Sequence, residues 1–563
     1  MPDSTDHVAG LSITVDGAAI QQEFRDLLTE VRVRDTLALP DAAMIRITDP
    51  KGDNVDALMS LFGIGKTVEV KVSAIGDSAT TQIFKGEVVA IEPDFGKSGV
   101  QLVVRALDKG HRLQRQRKVR TFQQVSASDI VRKLARENGL SAQVESTSVV
   151  FEFFQQSAET DWDLIARLAR AHGHRFYVDD TKLVFKKPGA GAGSPVTLKW
   201  QDDLISFRPR VSGVQQVQTI NLRGWDPKAK ANLSGTASNP TTVSQPGIQR
   251  SKVSSDSRGG TTVIVERPVA NSGEANAVAT SALSGRAEAF AEAEGLAFGN
   301  PAIQAGCKVK IEGVGSSLGG TYLVSSSTHS YRGEKGYQTS FQISGLSDRG
   351  LLDLLHPPER HDWSRDLVIG LVTNNNDPDQ TGRVRVKYPS LSDSEESAWA
   401  RVASVSAGNG RGLMMLPQVN EEVIIGFEQG DTRRPIVLGS LFNGKDKPGT
   451  DLLQNRDGSF ALLSNEKAHI HTKKDLEIKS DQKMTVEVKQ DQNFKVQGNM
   501  NHETTGNSKL KAQQYTVEAG TSLTVKGVSV TVEASASLTL KGATIDVQAS
   551  GPLNLKGAII NIG

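Results

Sequence analysis

The last forty-odd residues constrain the fold more than any other part of the chain. Ser522-Leu-Thr-Val-Lys-Gly527 recurs as Ser537-Leu-Thr-Leu-Lys-Gly542 and again as Pro552-Leu-Asn-Leu-Lys-Gly557. The three glycines are 15 residues apart. Between them a second half-repeat runs Val528-Ser-Val-Thr-Val-Glu-Ala-Ser535, then Ala543-Thr-Ile-Asp-Val-Gln-Ala-Ser550, then Ala558-Ile-Ile-Asn-Ile-Gly563. Each unit therefore reads as two short strands and two tight corners. Apolar and polar residues alternate within the strands, so one set points inward: Leu523, Val525, Val530, Val532, Leu538, Leu540, Ile545, Val547, Leu553 and Leu555. Short strands at a fixed period are the signature of a β-solenoid.

One chain cannot close this solenoid alone. A three-sided coil takes roughly twenty residues, and two strands per unit leave too few sides to enclose a core. Three chains wound together supply the missing sides and remove the open sheet edge. The expectation is a C-terminal intertwined, homotrimeric β-helix, or β-prism, with those ten residues as its trimer core. The pattern continues upstream through Leu510, Tyr515 and Val517. Further back its period approaches eight, in Ala468 and Ile470, Leu476 and Ile478, Met484 and Val486. Roughly thirteen stacked strands at about 4.7 Å each give a needle on the order of 60 Å long.

Composition narrows the rest. The 563 residues include 65 basic and 64 acidic side chains, a net charge of +1. That balance offers no general attraction to nucleic acid or an anionic membrane. Cys307 is the only cysteine, so an intrachain disulfide and a cysteine metal cluster are excluded. The N-terminus lacks a basic segment followed by an apolar run, and no stretch approaches the length of a membrane helix. Synthesis in a reducing cytoplasm without a signal peptide is expected.

From the N-terminus, alternation in Leu11–Val15, Val68–Val72 and Val100–Val104 predicts a small barrel or sandwich over 1–108. Residues 109–194 form an α+β insertion. Its helices are Ser126 to Asn138, with Ser126 as cap, and Thr160 to Ala171, capped at Thr160 or Asp161; a hairpin follows at Arg175–Val178 and Leu183–Phe185. Residues 195–360 return to β structure with one inserted helix at about 272–295, and His356-Pro357-Pro358 marks the end of this part. Five or so strands in 361–447 predict an OB-fold, and 448–563 is the needle. The fold class is mainly β with a minor α+β part.

Several groups could carry chemistry. His469-Ile-His471 and His172-Gly-His174 have metal-ligand residue types, but Ala468 and Ile470 hold the inward phase, so the first pair should face out, and the second reads as packing or surface. Glu421, Glu422, Asp393, Glu395 and Glu396 are acidic without the defined separation of a catalytic pair, and read as loop charges. Arg112, Arg115, Arg117, Lys118 and Arg120 form a basic run without interleaved aromatics, which suits a solvated or subunit-facing surface better than nucleic acid. Gly410-Arg-Gly412 and Gly315 to Gly320 lack the lysine and hydroxyl of a phosphate loop. No cofactor, metal or catalytic residue is expected. Ala558-Ile-Ile-Asn-Ile-Gly563 is apolar and carries no polar cap, which calls for a partner there.

Asp377-Pro378, Gly382-Arg-Val-Arg-Val386, Trp399-Ala-Arg-Val402, Gly426-Phe-Glu-Gln-Gly-Asp431 and Arg434-Pro-Ile-Val-Leu-Gly-Ser-Leu-Phe-Asn443 together resemble the OB-fold of VgrG-type spike proteins. Upstream, His111-Arg-Leu, Arg120-Thr-Phe, Asp129-Ile-Val, Glu159-Thr-Asp-Trp-Asp-Leu and Phe176-Tyr-Val-Asp-Asp are similar to the hub of that family. The resemblance implies the central hub and spike of a contractile injection machine: a phage tail, a type VI secretion system, or an extracellular particle of the antifeeding-prophage or Photorhabdus virulence cassette kind. It implies two tube-like barrels per chain, six in a trimer, matching a hexameric inner tube. It implies tube and baseplate proteins at the hub end, possible effector cargo, and mechanical puncture of a target membrane. A PAAR-type tip protein would dock on Ile559, Ile560, Ile562 and Gly563. No lysozyme-like or effector domain interrupts the family order, so an enzyme is not expected. The rival reading is a trimeric, tailspike-like polysaccharide or cell-wall hydrolase.

Overall fold

The computed structural model describes residues 10–37, 39–74, 79–214, 216–256, 259–265, 268–333, 336–344, 366–409, 411–447, 453–454, 460–463 and 468–563. The expected boundary at His356-Pro357-Pro358 lies outside the described residues. The chain divides into two compact units, Met1–Leu452 and Leu453–Gly563.

The first unit is built on an eleven-stranded sheet that draws strands from both ends of the hub sequence. Leu28–Thr36 pairs on one side with Ala42–Asp49 and on the other with Ser326–Arg332, so strands some 300 residues apart in sequence share one sheet. Alternation explains the layering. In Ala42–Asp49, Ala43, Ile45 and Ile47 are buried while Met44 and Arg46 are turned away from the core. One apolar core holds Val31, Val33, Ile45, Val68, Val70 and Val104, and a second holds Leu198, Ile311, Tyr322 and Phe341.

The α+β part has its own core. Ala127–Glu137 begins at Ser126, whose hydroxyl accepts from the Asp129 amide while the Asp129 carboxylate accepts from the Ser126 amide. Asp161–His172 is capped by Thr160 and ends on Gly173 at φ 65°. Trp162 packs on Phe176 of the strand Arg175–Asp179, their ring centroids 4.5 Å apart. The inserted helix is shorter than expected: it runs Ser272–Glu288, and Ala291–Phe298 is a strand of the large sheet. Ala-rich sequence with scattered glutamates favours helix, but the alternation in Ala291–Phe298 buries Ala291, Ala293 and Ala297 against the sheet core. The helix covers a separate sheet of Thr219–Asp226, Ala231–Ala237 and Thr261–Ile264, and forms a small core with it.

The expected five-stranded barrel is present. Val368–Asn374, Arg383–Lys387, Ala400–Val402, Pro435–Ser440 and Glu422–Phe427 close on themselves around Val372, Val384, Val386, Tyr388, Ile425 and Val437. The chain is mainly β with few helices, and no helix among the described residues is long and apolar enough to cross a membrane.

The second unit opens with an antiparallel sheet of Leu453–Gln454, Phe460–Leu463 and Ala468–His471. From residue 472 onward the chain is a series of extended runs separated by bends. The bends fall at 473, 481, 489, 497, 505 and 513, eight residues apart. They then fall at 520, 528, 535, 543, 550 and 558, alternating seven and eight. Strands were expected here; among the described residues of this segment, no ladder forms within the single chain.

Candidate functional site

The 15-residue repeat is the sum of that seven-plus-eight cadence, and its glycines have a steric cause. A Cβ on Gly527, Gly542 or Gly557 would sit 3.1, 3.0 or 3.2 Å from the carbonyl oxygen two residues on, at Ser529, Thr544 or Ile559. Each corner bends the backbone so that this carbonyl comes closer than a side chain allows without adjustment. Between corners, the ten residues from Leu523 to Leu555 are 52–69 % exposed in the single chain. Ile559, Ile560 and Ile562 are 81, 49 and 86 % exposed. Full burial of an aliphatic side chain is worth about 1.5–3 kcal/mol, so ten half-exposed ones leave on the order of 10 kcal/mol unrealised.

In the first unit, the turns of the barrel carry a separate set of ordered side chains. Asp377 in the first turn is 8 % exposed and collects the amides of Asp379, Thr381 and Arg383 at 2.8–3.2 Å, together with the Arg383 guanidinium at 2.6 Å. That guanidinium holds the Asp377 carboxyl well below its usual range. Arg383 and Arg385 then sit over the Trp399 ring, 5.8 and 5.0 Å from its centroid. This accounts for the Asp-Pro, Gly-Arg-Val-Arg and Trp-Ala-Arg motifs as one turn.

The turn at 428–434 reaches out of the barrel. Arg433 is held between Asp431 at 2.8 Å and Glu274 of the inserted helix at 2.7 Å, and lies 5.5 Å from the Phe151 ring centroid. Arg434 donates to the carbonyls of Trp225 (3.1 Å) and Val269, and Gln429 to that of Val265 (2.9 Å). Sequence reasoning quoted this stretch as a motif but missed Arg433. The signal was present: an arginine two residues after an acid, in the loop that joins two paired strands of the barrel.

The remaining candidates fall elsewhere. In the basic run Arg112, Arg115 and Arg117 are exposed, Arg112 beside Glu87, whereas Lys118 turns to Asp161 at 2.7 Å and Arg120 to Asp161 and Glu137. Asp161 is 1 % exposed, and a buried carboxylate needs such cations around it. His174 is buried, donates from Nδ1 to the His172 carbonyl at 2.9 Å, and stacks on Phe185 at 4.7 Å. Burial lowers His172 to about 4. His469 and His471 share one strand face, opposite Leu462 and Phe460, with ring centroids 6.3 Å apart. Glu395 accepts from Thr121, Glu396 pairs with Arg385, Glu421 accepts from the Gln418 amide and Glu422 from Asn443. Arg411–Gly412 pairs with Ala407–Gly408 in a short hairpin, and Gly315 and Gly320 sit in a turn at positive φ. Among the described residues, no three His, Cys, Asp or Glu side chains gather as a metal site.

Residues 368–442, which make the barrel, match the type VI secretion system/phage-baseplate injector OB domain, and this sets the class: a chain carrying an injector OB barrel. Residues 5–333 match the Alg8 N-terminal domain, more than half of the 563 residues. The chain belongs to the Alg8 N-terminal domain family. The expected resemblance to VgrG-type spike proteins is borne out. The chain is 32 % identical over 130 residues to the type VI secretion system spike protein VgrG5 of Pseudomonas aeruginosa, covering 22 % of this chain and 16 % of that one. It is 41 % identical over 69 residues to the spike protein VgrG3 of Vibrio cholerae, covering 12 % and 7 %. The matches thus span less than a fifth of these relatives' own length. Among solved structures, the Escherichia coli c3393 protein, described as a type VI secretion component similar to T4 tail proteins gp27 and gp5, matches 77 % of this chain and all of that one at 16 % identity and TM-score 0.46. The lidded Francisella PdpA–VgrG complex matches 84 % of this chain and 76 % of that one at 10 % identity and TM-score 0.48.

Proposed function

We propose that this protein is the structural hub and spike of a contractile injection machine. The observation that carries the reading is the exposed inward row of the repeat. Its regular corners leave ten aliphatic residues half-solvated in one chain, joined in sequence to an injector OB barrel. Three chains wound into a β-prism would bury that row and pair the extended runs that have no ladder within one chain. Tube and baseplate proteins would meet the hub end. A PAAR-type tip would cover Ile559, Ile560, Ile562 and Gly563, and effector cargo could ride on the particle. Sheath contraction would supply the work and drive the needle through an envelope, so the chain itself would need no catalytic group.

Absolute mass by light scattering tests this. One chain is 60.4 kDa, so the proposed trimer is about 181 kDa. A monomer stable at micromolar concentration would overturn the reading.

A further inference from the structure

The outward face of the eleven-stranded sheet has an uneven charge that the spike reading does not use. In Ser326–Arg332, Leu28–Thr36, Ala42–Asp49 and Gly99–Leu107, alternate residues fill the core and the others face away. Register places Arg332 opposite Glu30, and Glu30 opposite Arg46. In the next row Ser330 lies opposite Arg32, Arg32 opposite Met44, and Met44 opposite Arg105. Arg105 is taken up by Glu92, with contacts of 2.7 and 3.1 Å.

The other three arginines converge on Glu30. Arg332 donates to its Oε1 at 2.9 and 2.7 Å, Arg32 to the same oxygen at 2.9 Å, and Arg46 lies 3.6 Å from Oε2. The Glu30 side chain is 8 % exposed, whereas Arg332, Arg32 and Arg46 are 40, 45 and 37 % exposed. One buried anion thus holds three half-exposed cations, a formal excess of two positive charges where the whole chain carries one. Anchoring by Glu30 fixes the guanidinium groups in place while part of each fork faces water. A pre-set fork loses less entropy on binding a carboxylate than a free side chain does.

We propose that this face docks a carboxylate-rich protein segment, with Arg32, Arg46 and Arg332 as its anchoring forks. Across these four strands the two rows hold arginine, serine, methionine and valine around Glu30, and the exposed ring in line with them, Phe298, stands two strands beyond Ser330. That chemistry suits carboxylates better than single-stranded nucleic acid.

The test is fluorescence anisotropy on the full chain with a labelled 16-residue poly-L-glutamate probe and, in parallel, a 16-nucleotide oligothymidylate, at about 50 and 200 mM salt. Poly-glutamate should bind and weaken with salt. The neutral-face variant Glu30→Gln/Arg32→Gln/Arg46→Gln/Arg332→Gln should weaken it at least tenfold, while Arg208→Gln/Arg210→Gln should change it less than twofold. Should the neutral-face variant fail to match the parent's circular dichroism, the charge-conserving Arg32→Lys/Arg46→Lys/Arg332→Lys set decides, and should bind at least threefold more weakly. Absence of binding at 50 mM salt, parental affinity in the folded neutral-face or lysine variant, or tighter binding of oligothymidylate would each overturn the proposal.

Discussion

Arg433 of the barrel and Glu274 of the inserted hub helix form a 2.7 Å ion pair, and their side chains are only 18 and 9 % exposed. Asp431 sits on the other side of the same guanidinium at 2.8 Å. Both carboxylates and burial bear on Arg433; the carboxylates prevail, so it stays charged. Removing the cation would leave two half-desolvated anions facing each other. Breaking one partner of a buried pair costs about 3–5 kcal/mol. Arg433→Ala should therefore lower stability by that order and open the 428–434 turn to protease. Arg433→Lys should recover only part, because one ammonium cannot fork between Asp431 and Glu274. Thermal unfolding with limited proteolysis checks both, and an Arg433→Ala chain as resistant as the parent would mean the barrel is held by other contacts.

Asp35, Asp41 and Asp108 gather where the first strands meet the α+β part. Burial pushes Asp35 up to about 6 and Asp108 up to about 7, and Asp41 is raised well above its usual value by burial and by its two neighbours. The folded state thus holds protons that the unfolded chain, titrating near 3.8, has released. Their contribution to stability is complete below about pH 4 and lost as pH rises to about 7. His172 and His329 act the other way. Burial lowers each to about 4, so the unfolded chain takes up protons first, and stability falls as pH drops from about 6.5 toward 4. Denaturant unfolding from pH 4.5 to 8 should show these opposed slopes. Asp108→Asn should flatten the decline between pH 6 and 7.5, and an unchanged profile would sink this assignment.

Much of this architecture was legible because periodicity maps directly onto burial. Leu11–Val15 and Glu422–Phe427 occur as read, Ser126 caps its helix as its position foretold, and of Thr160 and Asp161 it is Thr160 that caps the second. What sequence could not show is long-range. Alternation in Leu28–Thr36 marks a strand, but nothing in it names Ser326–Arg332 as the neighbour. That Lys118 and Arg120 turn to anions was hidden because those anions, Glu137 and Asp161, come from elsewhere in the fold. Arg433 was overlooked for the same reason, since Glu274 lies 159 residues away.

Gly235 tests how closely the inserted helix must approach its sheet. A Cβ there would lie 2.3 Å from the Ala275 carbonyl carbon and 2.5 Å from its oxygen. Backbone cannot yield as a side-chain tip does, so the helix Ser272–Glu288 must lift. Overpacking of this kind costs typically 1–3 kcal/mol. Gly235→Ala should lower the unfolding midpoint, and Gly235→Val should lower it further. Equal midpoints for all three chains would show that the helix rides freely on Thr219–Asp226 and Ala231–Ala237.

The needle reading makes the sharpest demand. Val530 and Leu540 are 55 and 66 % exposed in the single chain. If they stayed so, Val530→Asp or Leu540→Asp would cost little, since a surface substitution usually shifts stability within about 0.5 kcal/mol. If three chains close around them, either change places three carboxylates on one dry axis. The charges would repel and lack partners, and no gain from burial could offset them. Each variant should therefore fall from about 181 kDa to the mass of one chain, 60.4 kDa, while the barrel Val368–Ser440 keeps its fold. The outward Thr531→Asp on the same strand should remain trimeric. That contrast between neighbours one residue apart separates a wound prism from any association through the hub, and a trimer in all three variants would remove the prism.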